Sequence, residues 1–329
     1  MSATHATTMP SAKPPSPMSR LFASAPVTTI EDLRRIAERR VPRMFYDYAD
    51  SGSYTESTYR ANESDFAKIK LRQRVAVDMS NRSLASTMVG ESVGMPVALA
   101  PTGLTGMQHA DGEIHAARAA AKAGVPFTLS TMSICSIEDV AENTDKPFWF
   151  QLYVMRDRGF IDRLIDRAKA AGCSALVLTL DLQIDPEDAE LACRSGADAL
   201  IVSNHGGRQL DGAMSSISAL PAIVQAVGDR MEVLFDGGIR SGQDVLKAIA
   251  LGAHGTFIGR AFLYGLGAGG EAGVTQCLDI IRKELDTTMA LCGLRDIRDV
   301  DARILADTDG LVPRAQRATI ERPERLAAE

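Results

Sequence analysis

Ala199-Leu200-Ile201-Val202-Ser203-Asn204-His205-Gly206-Gly207-Arg208-Gln209-Leu210-Asp211 is an apolar run that breaks into a polar, glycine-rich loop. An apolar run without alternation fits a strand covered on both faces, since a half-solvated strand would alternate. The pattern repeats on either side. Apolar runs fall at 97–100, 127–129, 148–152, 175–180, 199–203, 232–236 and 255–258. Amphipathic stretches such as 114–123, 160–171, 186–194 and 244–250 alternate with them. Several close on a glycine, namely Gly124, Gly172, Gly196 and Gly252, as helix C-termini do. Strand–helix alternation predicts parallel strands covered by helices. The fold class is therefore α/β, and the architecture is a (β/α)8 TIM-barrel type with one strand–helix unit missing, because seven runs are present where about eight close a barrel. A doubly wound open sheet is the alternative; no Gly-x-Gly-x-x-Gly follows the first run, which weakens a dinucleotide-binding version.

Polar residues and glycines gather just past the strands' C-terminal ends, the rim on which barrels build active sites. Pro101-Thr102-Gly103 follows the first run, Ser130 closes the second, Gln151 and Tyr153 the third, Thr179 and Asp181 the fourth. The late loops Asp236-Gly237-Gly238-Ile239-Arg240 and Gly259-Arg260 each join glycine to arginine. Glycine lets backbone N–H groups approach an anion and arginine adds charged donors, so together these loops predict a phosphate site. Either loop alone would read as an ordinary turn. His205 lies in a polar loop, where Arg208 could hold an anionic substrate and Asp181 could orient an imidazole. A lone histidine is more often structural, and only these neighbours argue for catalysis. His109, on the rim after the first run, is a distant second candidate.

Composition narrows the classes. A chain of 329 residues with net charge −6 offers no general attraction to nucleic acid or anionic lipid. Its five cysteines are scattered with no Cys-x-x-Cys pair, which argues against a disulfide framework or a metal site and fits a reducing compartment. No apolar run approaches the roughly 18 residues of a membrane span. A cytoplasmic protein is expected, with peripheral contact with the inner membrane left open. Residues 1–26 are rich in proline, serine and threonine and lack acidic residues, which predicts a disordered tail. A transit peptide is the rival; Lys13 and Arg20 are the only basic residues there, too few for one. Thr28-x-x-Glu31 reads as a capping box opening a helix, and another helix is expected after Pro42, ending near Gly52. The barrel domain is placed at 27–310 and a C-terminal tail at 311–329.

Tyr46-Asp47-Tyr48, Ala100-Pro101-Thr102, Leu129-Ser130, Phe150-Gln151-Leu152-Tyr153, the run from Ser203 to Asp211 and the run from Asp236 to Arg240 resemble signatures of the FMN-dependent 2-hydroxy-acid oxidases and dehydrogenases. The resemblance runs from about Ala25 to Ile304, in family order. It implies that His205 is the active-site base, Asp181 its carboxylate partner and Arg208 the binder of the substrate carboxylate, with Tyr48 and Tyr153 touching substrate. It implies that Pro101, Thr102, Gly103, Ser130, Gln151, Thr179 and Ser203 line the FMN. The phosphate would lie on Asp236, Gly237, Gly238, Arg240, Gly259 and Arg260. The implied reaction converts an L-2-hydroxy acid, with L-lactate leading, to a 2-keto acid. The electron acceptor (oxygen, quinone or cytochrome) stays open, no metal is implied, and a homo-oligomer is expected.

The departure lies at Leu182-Gln183-Ile184-Asp185-Pro186. Family members continue there into a long active-site loop, a helix and a fifth strand. Here the chain passes almost directly to what resembles the helix after that strand. A flavin-site lysine and a second substrate-binding arginine go with the missing segment. Two alternatives to a working enzyme follow: a non-catalytic FMN- or phosphate-binding relic, and a different phosphate-binding barrel such as an FMN-dependent isomerase. The intact His205 loop argues against the isomerase.

Overall fold

The structure, a computed structural model, describes residues 26–307. The tail expectations at 1–26 and 311–329 lie outside these residues, save Pro26. The first described element is the helix Ile30–Arg40, whose capping box is one residue later than expected. Thr29 is the N-cap and Asp32, not Glu31, reciprocates. Asp32 is preferred because its short carboxylate reaches the Thr28 and Thr29 amides, both at 3.0 Å. The helix after Pro42 is Arg43–Asp50, ended by extended backbone at Ser51.

Strands β1 (Lys70–Leu71) and β11 (Leu305–Asp307) pair antiparallel, and β2 (Ser86–Met88) and β3 (Glu91–Val93) form a hairpin. The remaining strands are β4 (Val97–Leu99), β5 (Thr128–Ser130), β6 (Trp149–Leu152), β7 (Ala175–Leu178), β8 (Ala199–Val202), β9 (Glu232–Asp236) and β10 (Gly255–Ile258). They match the seven apolar runs of the sequence. All their pairings are parallel, in two ladders ordered β5-β6-β7 and β4-β10-β9-β8. A single parallel bridge between Leu99 and Phe127 joins the ladders. The result is an arc of seven strands around a common interior. Among the described residues no ladder connects β7 to β8, so the barrel has a seam where one strand–helix unit is missing.

The interior of the arc is packed by Ala98, Trp149, Leu234 and Phe257, with the Trp149 and Phe257 rings 5.9 Å apart. The β2–β3 hairpin closes the N-terminal end of this space. Met88 is fully buried, and Glu91 Oε1 accepts a hydrogen bond from Trp149 Nε1 at 3.0 Å. The C-terminal end stays open. Around the outside, the helical segment Arg260–Leu291, broken by non-helical backbone at Gly269 and Gly270, packs on the helices Ile30–Arg40 and Gly112–Ala123. Glycines end the predicted helices in left-handed backbone, as at Gly124 with φ +67°. The seam contrasts with this. Leu176 and Leu178, which point outward from β7, are about half exposed, while Ala175, Val177, Ala199 and Ile201 only partly cover the interior.

Candidate active site

A cavity of about 750 Å³ opens at the C-terminal ends of the strands and runs down the seam. The sequence-predicted site residues other than His109 line it: Tyr48, Pro101, Thr102, Gly103, Ser130, Gln151, Tyr153, Thr179, Asp181, Ser203, His205, Arg208, Asp236, Gly237, Gly238, Arg240, Gly259 and Arg260. Met132, in the loop after β5, joins them and is half exposed. His109 is not among the lining residues; it packs edge-on against His115 at 5.0 Å.

His205 and Asp181 sit on the ends of the two strands that flank the seam. His205 Nδ1 approaches Asp181 Oδ1 to 3.2 Å, but without hydrogen-bond alignment, and Asp181 Oδ1 has no hydrogen-bond donor among the described residues. Both residues have left-handed backbone, Asp181 with φ +64° and His205 with φ +56°. Side-chain-bearing residues adopt that region at a cost, and two such residues facing each other mark a site held in place by its surroundings. Ser203 Oγ accepts from His205 N at 3.0 Å and donates to Asp236 Oδ2 at 2.9 Å. Burial pushes the Asp236 carboxyl above the ordinary carboxylate range, opposed by the Ser203 hydroxyl and by charge from His205, Arg260 and Arg240. Tyr153, close to Asp181, has its hydroxyl pushed up to about 12, by burial first and then by the Asp181 charge.

Three guanidinium groups converge on the cavity. Arg208 Nη1 donates to the carbonyls of Tyr48 and Ser51 at 2.7 and 2.9 Å, and the group lies 4.8 Å over the Tyr48 ring. Arg260 is held by the carbonyls of Ala49, Gly206 and Ser51 at 2.7 to 3.0 Å. Arg240 pairs with Glu63 at 2.8 Å. Burial lowers the Arg260 pKa, and repulsion from Arg240 and Arg208 lowers it further. Such a cluster favours an anion. Beside it Gly238, with φ +84°, leaves no room for a side chain, because a Cβ there would stand 1.9 Å from the carbonyl oxygen of Asn62.

These residues fit a flavin mononucleotide. The buried amide of Gln151 receives hydrogen bonds at Oε1 from Ser130 Oγ and Thr131 N, both at 3.1 Å, while its Nε2 has no acceptor among the described residues and needs one from a ligand. Gln151, Ser130 and Thr102 would face the ring, and the backbone at 236–240 with the arginines would hold the phosphate. The sequence does not announce the supports behind this wall, Tyr59, Asn62 and Glu63. All three lie on the helix Ser57–Ser64, a segment too short and polar to show a helical period. Asp211 pins that helix by accepting from Thr55 N, Thr55 Oγ1, Ser57 Oγ and Thr58 N at 2.6 to 3.1 Å. The Ser57 hydroxyl, then that of Thr55, holds the Asp211 carboxyl well below the usual range.

Fold and site together define a flavin-binding barrel, and comparison with known proteins makes this specific. The family of FMN-dependent dehydrogenases matches over residues 37–186 and 184–307, and the chain belongs to it. The match is in two blocks that meet at Ile184–Pro186, where the sequence departs from the family. The L-lactate dehydrogenase of Caulobacter vibrioides is 42% identical over 383 aligned positions, covering 88% of this chain and 99% of the relative. That share is about 290 residues of this chain, so about 90 aligned positions face no residue here. The L-lactate dehydrogenase of Ectopseudomonas mendocina is 39% identical, covering 85% of this chain and 98% of its own. Among solved structures, an active mutant of (S)-mandelate dehydrogenase superposes with TM-score 0.83 and 33% identity, covering 86% of this chain and 100% of that one. A monotopic membrane protein, also an (S)-mandelate dehydrogenase, gives 0.82 and 31%, covering 85% of this chain and 99% of its own.

Proposed function

We propose that this chain binds FMN and oxidises an L-2-hydroxy acid, L-lactate first, to the 2-keto acid. FMN, when bound, supplies the acceptor for two electrons. The rest falls to side chains. Arg208, fixed by the Tyr48 and Ser51 carbonyls, binds the substrate carboxylate through its charged donors. Tyr48 and Tyr153 flank it; with its pKa raised to about 12, Tyr153 keeps its proton at neutral pH and serves as a hydrogen-bond donor. Asp181 lies on the Nδ1 side of His205, which leaves Nε2 to take the substrate's proton, and the carboxylate stabilises the imidazolium that results.

The observation that carries this reading is the convergence of His205, Asp181, Arg208 and both tyrosines on one cavity beside the arginine-rich phosphate loops. L-lactate is favoured because relatives that bear that name share about 40% of their residues with this chain. The likeness to an (S)-mandelate dehydrogenase that is a monotopic membrane protein supports peripheral membrane association. Among the described residues no helix is long and apolar enough to cross a membrane.

The seam favours a second reading, a flavin-binding protein that no longer turns over, since Asp181 follows β7, a strand with one edge unpaired among the described residues. Anaerobic titration with L-lactate decides between them. Bleaching of the bound flavin is expected. A yellow protein that lactate, glycolate and mandelate all fail to bleach establishes the second reading, and a protein that cannot be loaded with FMN overturns both.

A further inference from the structure

Asn62 lies outside the cavity, is 1% exposed and takes no part in the proposed chemistry. Its amide and that of Asn204 exchange hydrogen bonds in both directions, each 2.8 Å. Asn204 immediately precedes His205, and its Oδ1 also accepts from Gly207 N at 3.1 Å, which closes the turn that carries the base. Asn62 Oδ1 accepts in addition from Ser216 N at 3.1 Å, and Ser216 Oγ accepts from Asn204 N at 3.1 Å. The base loop is thus tied to Asn62 both directly and through Ser216. The same two residues support the phosphate loop. The Asn62 carbonyl lies against Gly238 and Ser216 Oγ against Gly237, so close that a Cβ at either glycine would stand 1.9 or 2.7 Å away.

We infer that Asn62 is a positioning residue that couples the two loops: filling the phosphate loop at 236–240 orders the loop that holds His205 in left-handed backbone. The inference rests on the FMN reading above. A buried amide pair kept only for stability would hold both loops equally with and without ligand. A coupling element passes the effect of one loop to the other, because a group that orders a shared support lowers the entropy cost of its neighbour's ordering.

The test reads hydrogen exchange of segment 203–214 with and without FMN, after binding has been measured by quenching of FMN fluorescence. In the wild type, FMN is expected to slow exchange in 203–214 by about tenfold or more, the scale of one well-made hydrogen bond in the balance. Asn62→Ala is expected to bind FMN about tenfold more weakly, and at saturation to protect 236–240 while slowing 203–214 less than about twofold. Retained slowing of 203–214 in that variant overturns the inference, as does a wild type that binds FMN without slowing it. Should Asn62→Ala not fold, Asn62→Asp decides. It keeps the volume and the acceptor for Ser216 N, yet sets an oxygen against Asn204 Oδ1, and the same uncoupling is expected. A wild type with no FMN binding refutes the functional reading at the first step, and the coupling with it.

Discussion

The two flanks of the arc are built from the same strand–helix unit and reach different states. On the side of β4, β10 and β9 each strand has a neighbour on both edges, and Leu99, Leu234 and Phe257 are all but inaccessible. The end of β9 is tied to the loop after β8 by the hydrogen bond from Ser203 Oγ to Asp236 Oδ2. At the seam, β7 and β8 each lack one neighbour among the described residues. Leucines at 176, 178, 180 and 182 are half exposed or more, and Asp181 Oδ1 and Gln183 Oε1 lack hydrogen-bond donors among the described residues. The comparison teaches that burial in a parallel barrel is a property of neighbours, not of the strand's own residues. Ala175–Leu178 carries no polar residue and Glu232–Asp236 begins and ends on a carboxylate, yet only the second is enclosed.

The first way to sharpen this contrast is chemical. His205→Ala is expected to slow flavin reduction by L-lactate by about 10²–10⁴-fold, the usual range for a lost general base, with FMN affinity little changed. Stopped-flow bleaching measures it, and a wild-type rate would remove His205 from the mechanism. The next is packing. Leu234→Ala, in the enclosed flank, is expected to cost about 2–5 kcal/mol in denaturant unfolding. Leu178→Ala, at the seam, is expected to cost less than about 0.5–1 kcal/mol because its side chain already meets water. Equal costs would mean that the seam is closed in solution.

The smallest expected effect is electrostatic. Burial raises the Asp236 pKa in the fold, so the folded state holds that proton to higher pH than the unfolded chain does. The residue's contribution is therefore favourable below the unfolded pKa and is lost as pH rises through the folded one. Asp236→Asn should melt higher than the wild type near pH 7, with the difference closing as pH falls toward about 4, the ordinary carboxylate value. A pH-independent difference would show that the carboxylate is well solvated.

Much of this is legible in the sequence, for reasons that differ by residue. The strand runs and the rim loops announce themselves because parallel strands are continuously apolar and the chain must turn polar where it leaves them. Thus Ser203–Asp211 and Asp236–Arg240 fall on the rim together with Gln151 and Thr102. The capping box slips by one residue because Thr28 and Thr29 are equivalent in sequence, and only the reach of Asp32 decides between them. The helix Ser57–Ser64 is invisible, since its Ser-Thr-Tyr-Arg-Ala-Asn-Glu-Ser sequence has no apolar stripe. Its role depends on contacts distant in sequence, such as Asn62 with Asn204 across 142 positions, and no local pattern encodes those. The seam shows only in the count of runs and the family likeness, because the spacing from 175 to 199 resembles that of intact units.

The left-handed backbone at His205 separates two things a single substitution usually confounds. An alanine there keeps a Cβ in the disfavoured region, whereas a glycine frees the chain of a cost of about 1 kcal/mol. His205→Gly should therefore be the more robust protein of the two while leaving a hole shaped like the lost ring. Imidazole added from solution could occupy that hole and take the proton without any peptide bond to the loop. Restored bleaching would then report on the ring alone, free of the geometry imposed by the chain that normally carries it.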